Sequence, residues 1–322
     1  MTLSYAPPAL EEVEAARERI ANSVVRTPLV PLQDDEAPAE IFLKLENLQP
    51  IGSFKLRGAG NMLELAADKL ADGVWTASAG NMAQAVAWYA RKRGVPCTVV
   101  VPETAPRTKL DAVTRLGAQI VEVSPETWFE VFRTREYPQM SGLFVHAFSD
   151  PAVIAGNGTI GLELVEDLPD VDAVIVPFGG GGLVCGIASA LRSLAPSCKV
   201  YACEVETAPP LAASLAAGEP VEVEHRRSFV DGIGGPRVFP EMFALTRELV
   251  AGSIVLSVNE IARAVRLLAE RNHVVAEGAG AAPVAAALTG RAGKGKIACV
   301  VSGGNIDTEV LQTILGREDA GR

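Results

Sequence analysis

The sequence predicts an α/β protein built from two open, mostly parallel β-sheets. Short runs rich in Val, Ile, Ala and Cys alternate with amphipathic stretches of helical periodicity. The short runs are apolar nearly throughout, which is typical of strands buried on both faces of a parallel sheet. The strand–helix–strand order recurs in two separate series, and 322 residues are more than one small core needs.

Six strands are predicted from the short apolar runs, each bounded by Gly, Pro or charged residues. They lie at Ile41–Leu45, Cys97–Val101, Ile120–Val123, Ala173–Val176, Lys199–Cys203 and Ile297–Val301, with further strands near 27–32 and 74–76. Helices are predicted at Ala83–Arg93, which ends at Gly94, and at Arg107–Leu116, Leu183–Leu194 and Ile261–Arg271.

The two series divide the chain into two predicted domains. One series runs from about 74 to 144, and the other runs from about 171 to the end and takes in the early strands. Turn residues mark both junctions, at 71–73 and 149–151. We therefore predict a larger domain formed by residues 1–71 and 150–322, a smaller domain formed by 72–149, and a binding site in the cleft between their sheets. The tail, Gly316–Arg322, is expected to be frayed.

Charge and composition exclude several classes of protein. The 39 acidic and 29 basic residues give a formal net charge of −10, and such a surface repels nucleic acid and anionic membranes. No apolar run approaches the roughly 20 residues of a transmembrane helix, and residues 1–10 lack the features of a signal peptide. The five cysteines form no CxxC pair, so we expect free thiols and a cytoplasmic location.

Four consecutive glycines, Gly179 to Gly182, form the most prominent local motif. They follow a predicted strand and precede a predicted helix. Glycines let the backbone approach a ligand closely, and the N-terminus of the following helix attracts anions, so the loop suits a phosphate group. A tight strand-to-helix turn is the plainer interpretation, although it rarely needs four glycines. The spacing does not fit GxGxxG, which disfavours a dinucleotide site.

Two further loops combine glycine with asparagine, and each follows a predicted strand. They are Ser78-Ala79-Gly80-Asn81 and Ser302-Gly303-Gly304-Asn305. The backbone N–H groups of the first loop are suited to a carboxylate. Together, the three loops indicate a ligand with several anionic or polar groups. The three histidines share no metal-ligand spacing, and each is interpreted as a surface or packing residue.

Lys55 is the candidate for covalent chemistry. It lies between Phe54 and Leu56, and a lysine in apolar surroundings has a lowered pKa and forms imines readily. Most lysines are solvated, however, and the chain has eight of them. From the neighbouring residues alone, Lys55 is only slightly favoured over the others.

The segment from Lys44 to Ala59, KLENLQPIGSFKLRGA, resembles the lysine motif of fold-type II pyridoxal-phosphate (PLP) enzymes, whose fold is like that of the tryptophan synthase β chain. The likeness is greatest to the threonine/serine dehydratase branch, which includes serine racemase. It extends from Thr27-Pro28-Leu29 to the Ser302–Asn305 loop, with the motifs in the same order and spacing.

The resemblance implies a role for each motif. Lys55 would form a Schiff base with pyridoxal 5'-phosphate. The other cofactor-binding residues implied are Phe54 against the ring, Asn81 at the ring hydroxyl, Gly179, Gly180, Gly181 and Gly182 around the phosphate, Glu277 near the ring, and Ser302 at the pyridine nitrogen. Ser78, Ala79, Gly80 and Asn81 would hold the substrate carboxylate.

The implied activity is β-elimination from a small 3-hydroxy amino acid such as L-threonine or L-serine, giving a 2-oxo acid and ammonia, with Lys55 as general base. A racemase or a β-replacement enzyme is the alternative within enzymes. A non-catalytic protein that binds PLP or an amino acid is the alternative from another class. Relatives of this kind are homo-oligomers, so a dimer or tetramer is expected.

The sequence departs from the family pattern at several positions. Met82 stands where the dehydratases usually have His, which indicates a changed substrate preference. Ala79 replaces the serine of the racemases and Phe148 replaces their asparagine, and both changes favour elimination. The family's cation site would fall at Glu204, Ala208 and Pro210, where proline supplies no carboxylate, so no metal is expected. The chain stops near Arg322, so no C-terminal regulatory domain is expected.

Overall fold

The structure, a computed structural model, describes residues 5–316 and contains two β-sheets flanked by helices. The strands are β1 (Leu29–Pro31), β2 (Glu40–Lys44), β3 (Val74–Ala77), β4 (Cys97–Pro102), β5 (Gln119–Val123), β6 (Leu143–Phe144), β7 (Ala173–Pro177), β8 (Lys199–Val205), β9 (Gly252–Leu256) and β10 (Lys296–Val300).

Helices fill most of the remaining chain. They are α1 (Leu10–Ile20), α2 (Lys55–Leu65), α3 (Asn81–Arg93), α4 (Arg107–Arg115), α5 (Pro125–Thr134), α6 (Pro151–Asp167), α7 (Gly182–Leu194), α8 (Pro210–Ala217), α9 (Pro240–Leu249), α10 (Val258–Arg271), α11 (Gly278–Leu288) and α12 (Thr308–Gly316). Within residues 5–316, no helix combines the length and the apolar character that crossing a membrane requires.

The larger sheet has the strand order β1-β2-β10-β7-β8-β9, and the smaller sheet has the order β5-β4-β3-β6. All these pairings are parallel except that of β1 with β2. The predicted α/β class with mostly parallel sheets is therefore confirmed. Every strand of the smaller sheet lies between residues 72 and 149, but the domain boundaries at 71/72 and 149/150 stay predictions.

One central strand of each sheet is buried throughout, which explains its continuous apolar sequence. All five residues of β7 and all four of β3 are buried. The two faces of the larger sheet pack into separate clusters. One cluster contains side chains of α10 and α11, and the other contains side chains of α6, α7 and α9. This double coverage is the arrangement that a parallel sheet with crossover helices produces.

Helix α6 connects the smaller sheet to the larger one and packs very closely on its neighbours. A Cβ added at Gly156 would lie 2.5 Å from the carbonyl oxygen of Arg57 in α2. A Cβ added at Gly186 of α7 would lie 2.3 Å from the carbonyl oxygen of Ile154. Real Cβ atoms do not tolerate such distances, so α2, α6 and α7 meet backbone to backbone at these glycines.

The predicted elements agree with the structure to within a few residues. The six predicted strands match β2, β4, β5, β7, β8 and β10 to within two residues at each end. Helix α10 begins three residues before the predicted Ile261, because Ser257 and Glu260 form a capping box at its start. Strand β9 was not predicted. Of the tail expected to fray, Gly316 ends α12, and residues 317–322 lie outside the described part of the chain.

Candidate active site

Lys55 is the first residue of α2, and the end of β10 fixes its position. The backbone N–H of Phe54 donates to the carbonyl oxygen of Ser302 at 2.9 Å, and Ser53 forms a β-bridge with Gly303. The lysine motif and the Ser302–Asn305 loop, which lie almost 250 residues apart in sequence, are therefore adjacent. Ser53 does not cap α2 as its residue type suggests, because Phe54 occupies the cap position and the Ser53 hydroxyl is buried without a hydrogen bond.

The Lys55 amine lies in a largely apolar setting with one close acceptor. Its Nζ donates to the carbonyl oxygen of Ala147 at 2.6 Å and lies 5.0 Å from the centroid of the Phe54 ring. Burial lowers the pKa of Lys55 to about 8, and the nearby Glu277 carboxylate opposes this shift. At pH 7 about one tenth of this amine is therefore uncharged and nucleophilic, far more than of an ordinary lysine, and this is the state that imine formation requires.

Gly179–Gly182 form the turn from β7 into α7. The loop packs tightly against the residue that follows Ala147: Cβ atoms at Gly180 and Gly182 would lie 2.1 Å and 2.7 Å from atoms of Phe148. Gly181 has a φ of 91°, a conformation that strongly favours glycine. Among residues 5–316, no side chain caps α7, so its first N–H groups are available to an anion.

Asn81 at the start of α3 joins the smaller sheet to Glu277 and Asn305. Its Nδ2 donates to Glu277 Oε1 at 2.9 Å, and its Oδ1 accepts from Asn305 Nδ2 at 2.8 Å. Burial, and secondarily the negative charge of Asp231, raise the pKa of Glu277 to about 7. A carboxyl group and an amine that both titrate near neutrality therefore lie close together in this cleft.

The Ser78–Asn81 loop leads from β3 into α3. Ser78 Oγ accepts a hydrogen bond from Gly80 N at 3.2 Å, and no side chain in the described residues caps α3. Met82 is 1% exposed and belongs to the apolar cluster beneath the smaller sheet. The Met82 side chain therefore lies in the core of the smaller sheet, and its effect on substrate preference stays a prediction.

The predicted site residues form one connected group. Phe54, which precedes Lys55, donates a backbone hydrogen bond to Ser302. Asn81 donates to Glu277. Gly180 and Gly182 pack against Phe148, which follows the carbonyl that accepts from the lysine amine. Sequence reasoning missed Ala147 and His146. Ala147 contributes only a backbone carbonyl, which has no signal in the sequence, and His146 was interpreted as a surface or packing residue. Asn305 was quoted as part of its loop but was given no role.

At the positions of the family's cation site, the Glu204 carboxylate accepts hydrogen bonds from the protein itself. The Glu204 carboxylate accepts from the N–H groups of Leu211 and Ala212, both at 2.8 Å, and from Ser253 Oγ at 2.6 Å. Pro210 is the first residue of α8, so Glu204 satisfies the N-terminus of this helix. No group of three His, Cys, Asp or Glu side chains within residues 5–316 is arranged to hold a metal ion.

A half-buried amine of lowered pKa, flanked by two uncapped helix N-termini, is suited to a cofactor that carries both a carbonyl group and a phosphate. The fold and these contacts define the class of α/β enzymes that bind such a cofactor on a lysine. A family profile described as "Pyridoxal-phosphate dependent enzyme" matches residues 20–303, so the chain belongs to this family and is a PLP-dependent enzyme.

Relatives with curated names are similar over nearly the whole chain. An L-threonine ammonia-lyase of Thermotoga maritima is 42% identical, over 96% of this chain and 78% of the relative. A catabolic L-threonine dehydratase of Escherichia coli K12 is 38% identical over 98% of both chains.

Solved structures support the same family. Maize serine racemase superposes with a TM-score of 0.89 at 32% identity, and the match covers 96% of this chain and 97% of that one. The serine racemase of Dictyostelium discoideum superposes with a TM-score of 0.85 at 35% identity, and this match covers 94% and 100%. A solved threonine deaminase superposes with a TM-score of 0.87 at 37% identity, and its match covers 93% and 99%.

Proposed function

We propose that this chain is an ammonia-lyase that eliminates the β-hydroxyl group of L-threonine or L-serine and yields a 2-oxo acid and ammonia. The observation that carries the proposal is the Lys55 amine, which is held at Ala147 with its pKa lowered to about 8. Relatives named as threonine ammonia-lyase and threonine dehydratase support this choice of substrate and reaction.

Lys55 acts as the general base. A largely apolar setting keeps part of the amine population unprotonated at neutral pH, so it can accept the α-proton of the substrate. Donation to the Ala147 carbonyl uses one N–H bond of the amine and leaves the lone pair available. Glu277 is close enough to raise the pKa of Lys55, which favours a proton remaining on the amine once it has been accepted.

Two helix N-termini bind the anionic groups. The N–H groups at Gly179–Gly182 and the start of α7 would hold the cofactor phosphate, and those of Ser78–Asn81 would hold the substrate carboxylate. The cofactor ring would be held by four residues that lie near Lys55: Asn81, Glu277, Phe54 and Ser302. When pyridoxal phosphate is bound, it supplies an electron sink that stabilises the carbanion at the substrate α-carbon.

Elimination is favoured over racemisation by the side chains of the Ser78–Asn81 loop. Racemisation needs a second acid–base group on the opposite face of the substrate. Ala79, at the position where the racemases have serine, has no proton to exchange. The similarity to maize serine racemase therefore concerns the fold and the cofactor, and we do not extend it to the reaction of this chain.

The proposal is tested by a 2-oxo acid assay with L-threonine, L-serine and 3-substituted analogues. We expect product from threonine or serine with the wild type, loss of at least about 10³-fold in kcat for Lys55→Ala, and no change for Lys69→Ala, an exposed lysine. Turnover retained in Lys55→Ala would contradict the assigned role of Lys55. Absence of 2-oxo acid from every substrate would favour a non-catalytic binding protein, and accumulation of D-serine would favour a racemase.

We also propose that the enzyme is a cytoplasmic homo-oligomer. All five cysteines are free and four of them are buried, which suits a reducing compartment. Light scattering of the purified chain, coupled to size-exclusion chromatography, measures the number of subunits. A mass equal to that of one chain would contradict the oligomer.

A further inference from the structure

The peptide unit between Ala147 and Phe148 contacts a different side chain at each end. Its carbonyl oxygen accepts the hydrogen bond from Lys55 Nζ at 2.6 Å, and its N–H donates to His146 Nδ1 at 3.3 Å. The C=O and N–H bonds of a trans peptide lie in one plane and point in opposite directions. A contact that fixes the N–H therefore also fixes the direction of the carbonyl that binds the lysine.

His146 closes the turn with a second hydrogen bond. Its Nδ1 also accepts from the backbone N–H of Ser149 at 2.8 Å. A nitrogen that accepts from two N–H groups carries no proton, so the imidazole is neutral with its hydrogen on Nε2. Protonation of Nδ1 would replace both hydrogen bonds with repulsion between donors. Burial, together with the positive charges of Arg135 and Lys55, lowers the pKa of His146 to about 3, so the imidazole stays neutral.

The imidazole ring and the turn are both held rigidly. His146 is 1% exposed, and its ring centroid lies 4.6 Å from that of Phe132 and 4.8 Å from that of Phe148. Ser149 is anchored in turn, since its Oγ donates to Glu241 Oε1 at 2.7 Å and its carbonyl accepts from Arg135 at 2.6 Å. The orientation of the peptide is thus determined by the packed interior rather than by the lysine.

We propose that neutral His146 is a positioning residue that aims the Ala147 carbonyl at the Lys55 amine. This inference rests on the proposed role of Lys55 as the imine-forming lysine and general base. Without the Nδ1 acceptor, the peptide loses its anchor and the carbonyl no longer holds the amine in one place. A carbonyl that accepts from an ammonium group favours its charged form, so loss of this contact also lowers the pKa of the lysine.

Two substitutions at position 146 separate positioning from packing. His146→Asn places an oxygen acceptor close to the site of Nδ1, whereas His146→Leu fills a similar volume with no acceptor. The first readout is the rate at which the full-length, cofactor-free chain forms an imine with pyridoxal phosphate, followed by absorbance as a function of pH. The second readout is kcat and KM for threonine.

For His146→Leu we expect the plateau rate of imine formation and kcat to fall by about tenfold, with KM changed by less than about twofold. The pH midpoint of imine formation should move to a lower value. For His146→Asn, rates and midpoint should stay within about threefold and a few tenths of a pH unit of the wild type. Wild-type rates and midpoint in a folded His146→Leu variant would overturn the proposal, as would equal impairment of both variants.

A measurement on the wild type keeps the proposal falsifiable if His146→Leu does not fold. Nitrogen-15 NMR of labelled histidine should show a neutral ring protonated at Nε2 from about pH 5 to 9. If the His146 ring titrates in this range, or is protonated at Nδ1, the proposal is overturned. Borohydride reduction and peptide mapping test the premise separately. If the reduced cofactor is found on another lysine, the proposed function is contradicted. If it is found on Lys55 and the rates of the position-146 variants equal those of the wild type, only the positioning role is contradicted.

Discussion

The lowered pKa of Lys55 links the site to the pH dependence of stability. Its pKa of about 8 in the folded chain lies below the ordinary value of 10.5, so folding weakens proton binding. Between pH 8 and 10.5 the unfolded chain keeps a proton that the folded chain has lost, and the free energy of unfolding therefore rises with pH in this window. Below pH 8 both states are protonated, and the full penalty for burying the ammonium group is present.

We expect Lys55→Met, in the cofactor-free chain, to raise the unfolding temperature by about 2–4 °C at pH 7, because it removes this penalty. The difference from the wild type should shrink as the pH rises from 8 towards 10.5. Thermal unfolding measured across this range tests the expectation. Lys69→Met, at an exposed position, is the control and should show no such trend. A difference that stays constant across this window would contradict the pKa assignment.

Within residues 5–316, two residues other than glycine adopt left-handed backbone conformations, and their replacement by glycine should change stability by different amounts. Arg135 has a φ of 65°, and His273 has a φ of 57°. The Arg135 guanidinium also donates to Tyr5 and to two oxygens of Ser149. We expect Arg135→Gly to cost about 2–3 kcal/mol, since three hydrogen bonds are lost, and His273→Gly to change stability by less than about 1 kcal/mol. Denaturant unfolding measures the free energy of unfolding of both variants. If Arg135→Gly and His273→Gly lower it equally, the contacts assigned to Arg135 are contradicted.

At the residue scale, the sequence predicts side chains better than backbone contacts. Lys55 was identified because the long segment around it resembles the lysine motif of fold-type II PLP enzymes. The glycine-containing loops identified the turns into α3 and α7. The acceptor of the Lys55 amine was unpredictable, because a carbonyl of Ala147 differs in no way from any other until the chain folds. Met82 directly follows the Ser78–Asn81 loop, yet its side chain lies in the apolar core, which the sequence did not indicate.

At the scale of single elements, the N-terminus of α8 depends on Glu204. The carboxylate is buried and accepts two backbone N–H groups of this helix. We expect Glu204→Ala to destabilise the chain by about 1–3 kcal/mol, because those donors become unsatisfied inside the protein. Denaturant unfolding measures the loss.

Glu206 offers a matched control for this prediction. It accepts from Val258 N at the start of α10 but is exposed, so Glu206→Ala should cost less than about 1 kcal/mol. We further expect the unfolding temperature of the wild type to be the same with Mg²⁺ and with a chelator. A clear shift with Mg²⁺ would mean that a cation competes with α8 for Glu204.

The predictability of each element depended on how completely it is buried. Strands β7 and β10, at the centre of the larger sheet, are continuous apolar runs and were predicted to within a residue. Strand β9 is one of the two edge strands of this sheet, and only two of its five residues are buried, so its sequence carries little signal. The start of α10 is defined by local capping chemistry, which the apolar periodicity used to predict it does not contain.

At the scale of the whole molecule, a buried ion-pair network joins β2, α2 and α6. Arg57 contacts Glu46 at 2.8 Å and Glu163 at 2.7 Å, and Lys44 contacts Glu163 at 2.6 Å. All four side chains are at most 4% exposed. Because each charge is buried with its partners, the removal of one leaves the others uncompensated.

We expect Arg57→Met to destabilise the chain by about 3–5 kcal/mol, measured by denaturant unfolding. The exposed pair of Arg192 and Glu248 is the control, and Arg192→Met should change stability by less than about 1 kcal/mol. Equal effects at the two positions would show that the buried network contributes no more than a surface pair. The sequence alone placed Arg57 in a motif but gave no indication of Glu163, which lies 106 residues away.

The backbone contacts of α6 restrict how the two sheets can move. Gly156 touches α2, and Gly186 of α7 touches α6, in both cases without an intervening side chain. The helices are therefore not separated by side chains that could rearrange and let one helix slide past another. Shear between packed helices needs small, compliant side-chain adjustments, whereas a hinge needs only a few backbone rotations at the end of an element. The turn from 146 to 150 is also held, by His146 and Arg135, so it is not a free hinge, and any motion of the smaller sheet relative to α2, α6 and α7 would have to bend the chain elsewhere.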